Sequence, residues 1–390
     1  MTYLVETVTS CHQAQALGRI AAQSFNVTEP GWLEQFAETQ PWQSLRIIQC
    51  QDQVMGGLKI YPMGQWFGGQ SVPMSGIAGV AIAPEYRGTG VALELMRQVL
   101  RQLYTEGIAL CTLYPAVQQL YRKVGYEQAG TYCQFQISPA SLRSTDRSLP
   151  ITPIDPTDYS LLETLYRQRA QATNGNLDRH SEIWQRIITA KTDPIYAYLI
   201  GSHDHPEGYL VFRQERNGSS FNLHLRDLVV LSRAAAQRFW SFLADHRTQV
   251  DQVFWVGPSL DPLTCLLVEQ PWQMTDCDRW LMRVVNVPQA LTARGYPLGL
   301  TAEVSFQIED DLLPENNGSF VLKVANGRGA VQPGGPGDLR LQVGGLAPLY
   351  SGLFTAQQLQ QIGYLTGTPE TLATATTLFA GPEPWLADFF

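Results

Sequence analysis

The sequence has no Cys-x-x-Cys pair, no His-Glu-x-x-His and no Cys/His cluster, although it carries six cysteines and six histidines. Those absences exclude the usual zinc frameworks, so no metal is expected. They leave Cys11, Cys50, Cys111, Cys133, Cys265 and Cys277 as reduced, mostly buried thiols. An excess of basic residues is also missing: the formal net charge is −8 and the pI about 5.3, which excludes the basic face that nucleic acid requires. An acidic balance suits a cationic substrate such as an amine, and equally serves solubility. No apolar run approaches the ~20 residues that cross a bilayer, so no membrane partner is expected. The amino terminus does not join a basic segment to an apolar core, so no signal peptide is expected and a cytoplasmic location is. Charged residues make up only 16% against 44% hydrophobic ones, which excludes extensive disorder.

At 390 residues the chain exceeds the size at which one hydrophobic core stops growing, so two or three domains are expected. An internal repeat supports this. "GLKIY" at 57–61 is matched by "GYLVF" at 208–212, and "IALCTLYP", ending at Pro115, by "QVFWVGP", ending at Pro258. "CQFQISPASL" at 133–142 is matched by "MRVVNVPQAL" at 282–291. The offsets are 151, 143 and 149 residues in one order, which implies a duplicated unit with small loop changes. Each copy reads helix, strands, helix, strand, short helix, strand, and crossover helices between strands mean an α/β layer. A linker at 144–158 with three prolines separates the copies. Beyond 299, alternating runs such as "AEVSFQIED" and "SFVLKVANG", broken by "PENNG" and "QPGGPGD", predict an antiparallel sheet followed by helices, an α+β domain. The expected limits are 1–145, 146–291 and 292–390.

Residues 79–100 read "GVAIAPEYRGTGVALELMRQVL": a strand, a turn and a helix. In the helix Ala92, Leu95, Met96, Val99 and Leu103 recur at helical spacing, so one stripe packs on a sheet and fixes where the helix starts. The first N–H groups of such a helix have no intrahelical partners, and its dipole favours negative charge. Gly88 and Gly90 let those donors converge without side-chain obstruction. With Arg87, Thr89, Val91 and Ala92 they fit the pattern R/Q-x-x-G-x-G/A, a cradle for a pyrophosphate. A P-loop is excluded because no Gly-Lys-Ser/Thr is present, and a dinucleotide fingerprint because "GTGVAL" lacks the third glycine. The second copy's counterpart has "SRAAA" at 232–236, with no glycine, and no tyrosine lies between Tyr209 and Tyr296. That unit is expected to have kept the scaffold without the chemistry.

The order of elements, with "VAIAPEYRGTGVALELM" and "LYPAVQQLYRKVGYEQAG", resembles the GCN5-related N-acetyltransferases (GNAT). The resemblance implies that the 87–92 turn holds the pyrophosphate of acetyl-CoA. It also implies that the tyrosine of Y-x-x-x-G-F/Y, here Tyr121, lies near the thioester sulfur. Two such units, the joint "LMRVVNVPQALTARGY" and a terminal phenylalanine resemble, over essentially the whole chain, the enhanced intracellular survival acetyltransferases of that superfamily. This likeness implies a catalytic first unit, a degenerate second one and a sterol-carrier-protein-like third domain. It also implies a homo-oligomer, trimeric or hexameric, that acetylates amines, aminoglycosides among them.

Acetyl transfer to an amine needs a polarised carbonyl, a protonated leaving thiolate and a deprotonated amine. Backbone N–H groups around Gly79, Val80, Ala81 and Ile82 can serve the first need. Tyr121 can serve the second, since a phenol near about 10 donates to a thiolate near about 8.5 at a modest cost; Tyr126 is the second choice. No histidine or carboxylate near the first copy stands out as base, although Glu85 adjoins the turn. The terminal "PWLADFF" carries Trp385, Leu386, Phe389 and Phe390, and burying each gains about 1.5–3 kcal/mol, so the tail is expected to dock. In the resembling family the terminal carboxylate serves as base, which maps onto Phe390. Such a carboxylate starts near about 3.3–3.7 and needs an apolar setting or a water relay to act.

Two departures bear on the acceptor. Aminoglycoside-acetylating relatives carry an acidic residue just before the terminal phenylalanine, where this chain has Phe389, with Asp388 one further back. They place aspartate two residues after the phenylalanine that ends the first helix, where this chain has Val27, flanked by Asn26 and Glu29. A smaller or more aromatic amine is therefore expected, with Phe25, Trp32, Trp42, Gly79 and Phe389 as candidate pocket residues; the first four serve equally well as core. Two alternatives stand beside the enzyme: a non-catalytic acyl-CoA sensor, and a lipid-binding or scaffold protein built around the third domain.

Overall fold

We describe residues 3–29, 31–157, 159–190 and 193–390 in a computed structural model. Strands β1 (Leu4–Thr7), β2 (Leu45–Cys50), β3 (Gln53–Phe67) and β4 (Gln70–Ile82) form an antiparallel meander. Helices α1 (Cys11–Phe25) and α2 (Trp32–Thr39) fill the β1–β2 connection. Ser10 starts α1 by accepting a hydrogen bond from the Gln13 N–H (3.2 Å), and the buried stripe Ala14, Leu17, Gly18 and Ala21 holds the helix on the sheet. Helix α3 (Val91–Thr105) then crosses over to β5 (Leu110–Leu113), which pairs parallel to β4. Its buried face is Val91, Leu95, Met96, Val99, Leu100 and Leu103, the predicted stripe with Ala92 rotated to the edge. Helix α4 (Gln118–Arg122) and strand β6 (Glu127–Ile137) complete the first copy.

The second copy runs β7 (Ile151–Ile154), α5 (Ser160–Gln171), β8 (Leu177–Asp178), α6 (Ser181–Ile188), β9 (Ile195–Gly201), β10 (Pro206–Asn217), β11 (Ser220–Val230), α7 (Arg233–Asp245), β12 (Val250–Gly257) and β13 (Trp272–Val284). The two copies do not form separate sheets. One sheet of 13 strands runs β1-β2-β3-β4-β5-β13-β6-β12-β11-β10-β9-β7, with β8 attached to β3. The last strand of each copy has changed places: β13 closes the first copy against β5, and β6 closes the second against β12. β6 and β13, the pair matched as repeats in the sequence, lie antiparallel to each other with Cys133 opposite Cys277. The exchange covers both strand edges that would otherwise be left open.

The last third contains α8 (Val287–Ala293), β14 (Ala302–Glu309), β15 (Gly318–Ala325), β16 (Arg328–Pro333), β17 (Leu339–Gln342), α9 (Val343–Ser351), α10 (Ala356–Gln361), β18 (Leu365–Thr366) and α11 (Pro369–Leu378). Its five-stranded sheet, β16-β15-β14-β17-β18, is antiparallel except for the β14–β17 pair, so the α+β expectation holds with one parallel ladder added. Helix α9, apolar all round, packs on β6 and β13, so the third domain sits on the exchanged strands. The expected limit at 145/146 falls in coil, whereas that at 291/292 falls inside α8. The thiols differ from expectation: Cys111 and Cys133 are buried, Cys50 is half-buried, and Cys11, Cys265 and Cys277 are exposed. All six are free.

Candidate active site

Parallel pairing of β4 with β5 ends at Ile77 opposite Leu113, while β4 runs on to Ile82. Past that point the strands diverge. A bulge lies in the same stretch: Gly57 pairs with Ala81 and Lys59 with Ala78, so Gly79 and Val80 together face the single residue Leu58. Gly79 is exposed, with φ 62°. The opening is a cavity of about 420 Å³ lined on one side by Ile77, Ala78, Gly79 and Val80, and on the other by Leu113, Tyr114, Pro115 and Ala116. Tyr121 and Phe390, which lie far apart in sequence, both line it, as do Phe25 and Phe389. Ala81 and Ile82 are buried behind the bulge and do not reach it.

At the end of β4 the 87–92 turn leads into α3. Gly88 and Gly90 have φ of +75° and +91°, and a Cβ on either would meet nothing within 4 Å. No side chain caps α3. Arg87, exposed, donates to the Ile82 carbonyl (3.1 Å) and to the Ser24 hydroxyl (3.1 Å), and Thr89 donates to the Tyr86 carbonyl (2.7 Å). The turn is thus an exposed cradle of backbone donors at a positive helix end, suited to an anion. Val91 is buried beneath it and Ala92 half-buried. Glu85 is exposed and lines neither the cleft nor the cavity beside it.

Tyr121 is 5% exposed and its ring lies edge-on to Tyr126, with centroids 5.9 Å apart. Burial pushes its hydroxyl up to about 12, so it holds its proton throughout the ordinary pH range. Its hydroxyl makes no hydrogen bond among the described residues. Tyr126, by contrast, donates to the Cys111 sulfur (2.9 Å) in the core and does not line the cleft. The short helix carrying Tyr121 is clamped by Arg122, whose guanidinium donates two hydrogen bonds of 2.8 Å to Glu127. Tyr364 of the third domain donates to the same carboxylate (2.8 Å). Burial alone would raise Glu127, but Arg122, the Gln128 N–H and Tyr364 hold it below the usual carboxylate value.

The tail docks along its whole length. Trp385 N–H donates to the Asn174 carbonyl (3.1 Å), Leu386 N–H to the Thr131 carbonyl (2.9 Å) and Tyr114 hydroxyl to the Asp388 carbonyl (2.8 Å). The Asp388 carboxylate is held by the buried Arg179 guanidinium at 3.0 Å, and Arg179 also binds Asp227 at 2.5 Å. Asp388 is therefore an anchor, not a displaced acceptor ligand, because Arg179 takes both its oxygens. Phe390 is 7% exposed, its ring edge-on to Tyr61 (6.2 Å) and Tyr114 (5.8 Å). A Cβ on Gly76 would come within 2.6 Å of that ring, so a larger residue there would displace the docked phenylalanine. Phe389 remains 56% exposed, stacked on Tyr114 at 4.3 Å.

A second cavity, about 790 Å³, adjoins the first through Phe25, Ala78 and Gly79. Trp32 and Phe36, stacked at 5.0 Å, form one wall and Tyr61 another; Glu29 and Lys59 supply charge. Trp42 does not line it: its indole N–H donates to the Ala37 carbonyl (2.9 Å) and its ring packs in the α1 core. The second copy, expected to be scaffold, also lends walls. Asp278 and Arg279 of the exchanged β13 line the cleft, and Arg186, Thr189 and Ala190 line the larger cavity. The alternation of β13 holds no signal for this, since its neighbour is set by the exchange. Among the described residues no three His, Cys, Asp or Glu side chains are placed to hold a metal ion.

Comparison with known proteins places this architecture. The acetyltransferase (GNAT) domain family matches residues 10–129 and again 175–284, and the sterol carrier protein domain family matches 287–387. The crystal structure of a GCN5-related N-acetyltransferase from Anabaena variabilis is 46% identical, with a TM-score of 0.96 over 100% of both chains. One from Kribbella flavida is 29% identical, with a TM-score of 0.88 over 100% of this chain and 98% of that one. N-acetyltransferase Eis of Mycobacterium tuberculosis is 24% identical over 80% of this chain and 79% of its own. The chain belongs to the GCN5-related N-acetyltransferases, with two acetyltransferase domains and a sterol-carrier-protein domain.

Proposed function

We propose that the protein transfers an acetyl group from acetyl-CoA to an amine by direct attack, in the cleft between β4 and β5. The observation that carries this reading is the meeting of Tyr121 and Phe390 in one cavity, beside the Gly79 bulge and open to a second, aromatic-walled cavity. The residues present fit the cosubstrate. The 87–92 turn offers uncapped donors and open space at Gly88 and Gly90 for a pyrophosphate, and the diverging strands leave room for the arm that follows.

Acetyl-CoA supplies the activated thioester. Backbone N–H groups at Gly79 and Val80, in the bulge that lines the cleft, polarise its carbonyl. Tyr121 holds the proton that the leaving thiolate needs. Its elevation to about 12 makes it a weaker acid, but burial in the same cavity raises a thiol as well, which limits the mismatch. The Phe390 α-carboxylate, with no ion pair to it among the described residues, takes the proton from the amine directly or through water. The acceptor enters from the larger cavity past Phe25.

Free-thiol release from acetyl-CoA across a panel of primary amines tests the reading. Saturable, amine-dependent release is expected. Saturable CoA binding without release for any amine favours the acyl-CoA sensor instead.

A further inference from the structure

We infer that the acceptor carries, besides its amine, an anionic group that Arg186 binds. This rests on the acetyl-transfer reading and names the substrate class for it. Among the described residues, the charged side chains lining the larger cavity are Glu29, Lys59 and Arg186. Lys59 is neutralised in place, its ammonium 2.7 Å from the Glu182 carboxylate and 2.8 Å from the Gln40 amide oxygen. Arg186 is not: among the described residues no carboxylate pairs with it. Its guanidinium donates to the Tyr61 hydroxyl and lies 5.1 Å from the centre of that ring, which leaves further N–H donors for a guest.

Its position is built. Helix α6 buries Ile183, Trp184, Ile187 and Ile188, so Arg186 is turned outward into the cavity. Arg226 secures the end of that helix, donating to the Ile187 carbonyl (2.7 Å) and to the Arg186 carbonyl. Tyr61 connects the two ends of the site, for the Phe390 ring packs on it at 6.2 Å and Arg186 at 5.1 Å. An amine deprotonated at the chain terminus thus has its far end in reach of a guanidinium between aromatic walls. A guanidinium there matches a carboxylate or a phosphate through paired hydrogen bonds and repels a polycation. Among the described residues Glu29 is the one carboxylate lining the cavity for a cationic centre.

The test compares ω-amino carboxylates from 5-aminopentanoate to 8-aminooctanoate with their methyl esters and the matching n-alkylamines. Aminoalkyl phosphates of the same lengths distinguish a phosphate from a carboxylate. Native protein is expected to favour an anionic amine over its neutral partner by about tenfold or more in kcat/KM, through KM. Arg186→Ala should erase the preference by raising KM for the anionic amines to that of their neutral partners, and Arg186→Lys should keep part of it. Equal kcat/KM for acid and ester, or a preference undiminished in Arg186→Ala, overturns the inference. If no amine releases thiol, the acetyl-transfer reading fails, and calorimetric binding of 6-aminohexanoate then decides. Binding lost in Arg186→Ala supports the anion site, and binding absent or unaltered refutes it.

Discussion

The two acetyltransferase units build the same strand–helix junction twice and use it differently. In the first, α3 begins after Gly90 in a left-handed conformation, with no side chain on its N-terminal donors. In the second, the Ser232 hydroxyl accepts from the Ala235 N–H (3.0 Å) and donates to the Glu207 carboxylate, so α7 is capped by its own chain with an acid already beside it. The fold requires neither arrangement. What separates a binding turn from a structural one is whether the helix leaves its donors free. The clefts differ in the same way. The divergence of β11 from β12 after His224 and Phe254 opens about 470 Å³, lined by Pro382, Glu383 and Trp385 of the tail. The cleft of the first unit receives only the tail's last residues. One segment is anchored in the cleft of the second unit and ends in that of the first.

Four perturbations bear on that contrast, taken from the strongest. Extending the chain by several residues beyond Phe390 should reduce turnover by about 10²–10⁴, the usual contribution of a positioned base, while acetyl-CoA binding persists. Undiminished turnover in the extended protein removes the terminal carboxylate from the chemistry. Tyr121→Phe should lower kcat by about 10²–10³ with acetyl-CoA affinity nearly unchanged. Because Tyr121 is raised to about 12, native kcat should not decline on the alkaline side through loss of this proton until pH nears that value. A fall centred near pH 10 that vanishes in Tyr121→Phe would contradict the buried placement. The smallest effect is at the turn. Gly90→Ala at φ +91° should raise the KM for acetyl-CoA about tenfold through backbone strain. The matching Ser232→Gly change should create no CoA site, since Glu207 stays; a new site there would mean that the Ser232 cap alone, and not Glu207, was the obstacle.

The elements that position the chemistry were legible because they obey local rules. The apolar stripe of α3, the glycines of the turn and the spacing of Tyr121 from Tyr126 are all set within a few turns of chain. The partner of a strand is not. Nothing in the alternation of 127–137 distinguishes β12 from β5 as its neighbour, so the exchange stayed hidden, and with it the role of Asp278 and Arg279. The role of Asp388 stayed hidden for a related reason. Its partner Arg179 lies 209 residues away, and a carboxylate near a site reads from sequence as a ligand whether or not a distant arginine holds it. Trp32 and Trp42 offered equal claims as pocket walls; the indole bond of Trp42 to Ala37 decided between them.

The exchanged strands also set a schedule for the chain as it is made. Strand β6 emerges early, yet both its neighbours, β12 and β13, are synthesised more than a hundred residues later. At ribosomal rates of about 5–20 residues per second, that leaves β6 without its partners for on the order of ten seconds. The first unit is likewise unfinished until the last strand of the second arrives to lie against β5. Neither half reaches this pairing ahead of the other, and a fragment ending at the linker would carry the open edge of β5 and both edges of β6 into solution.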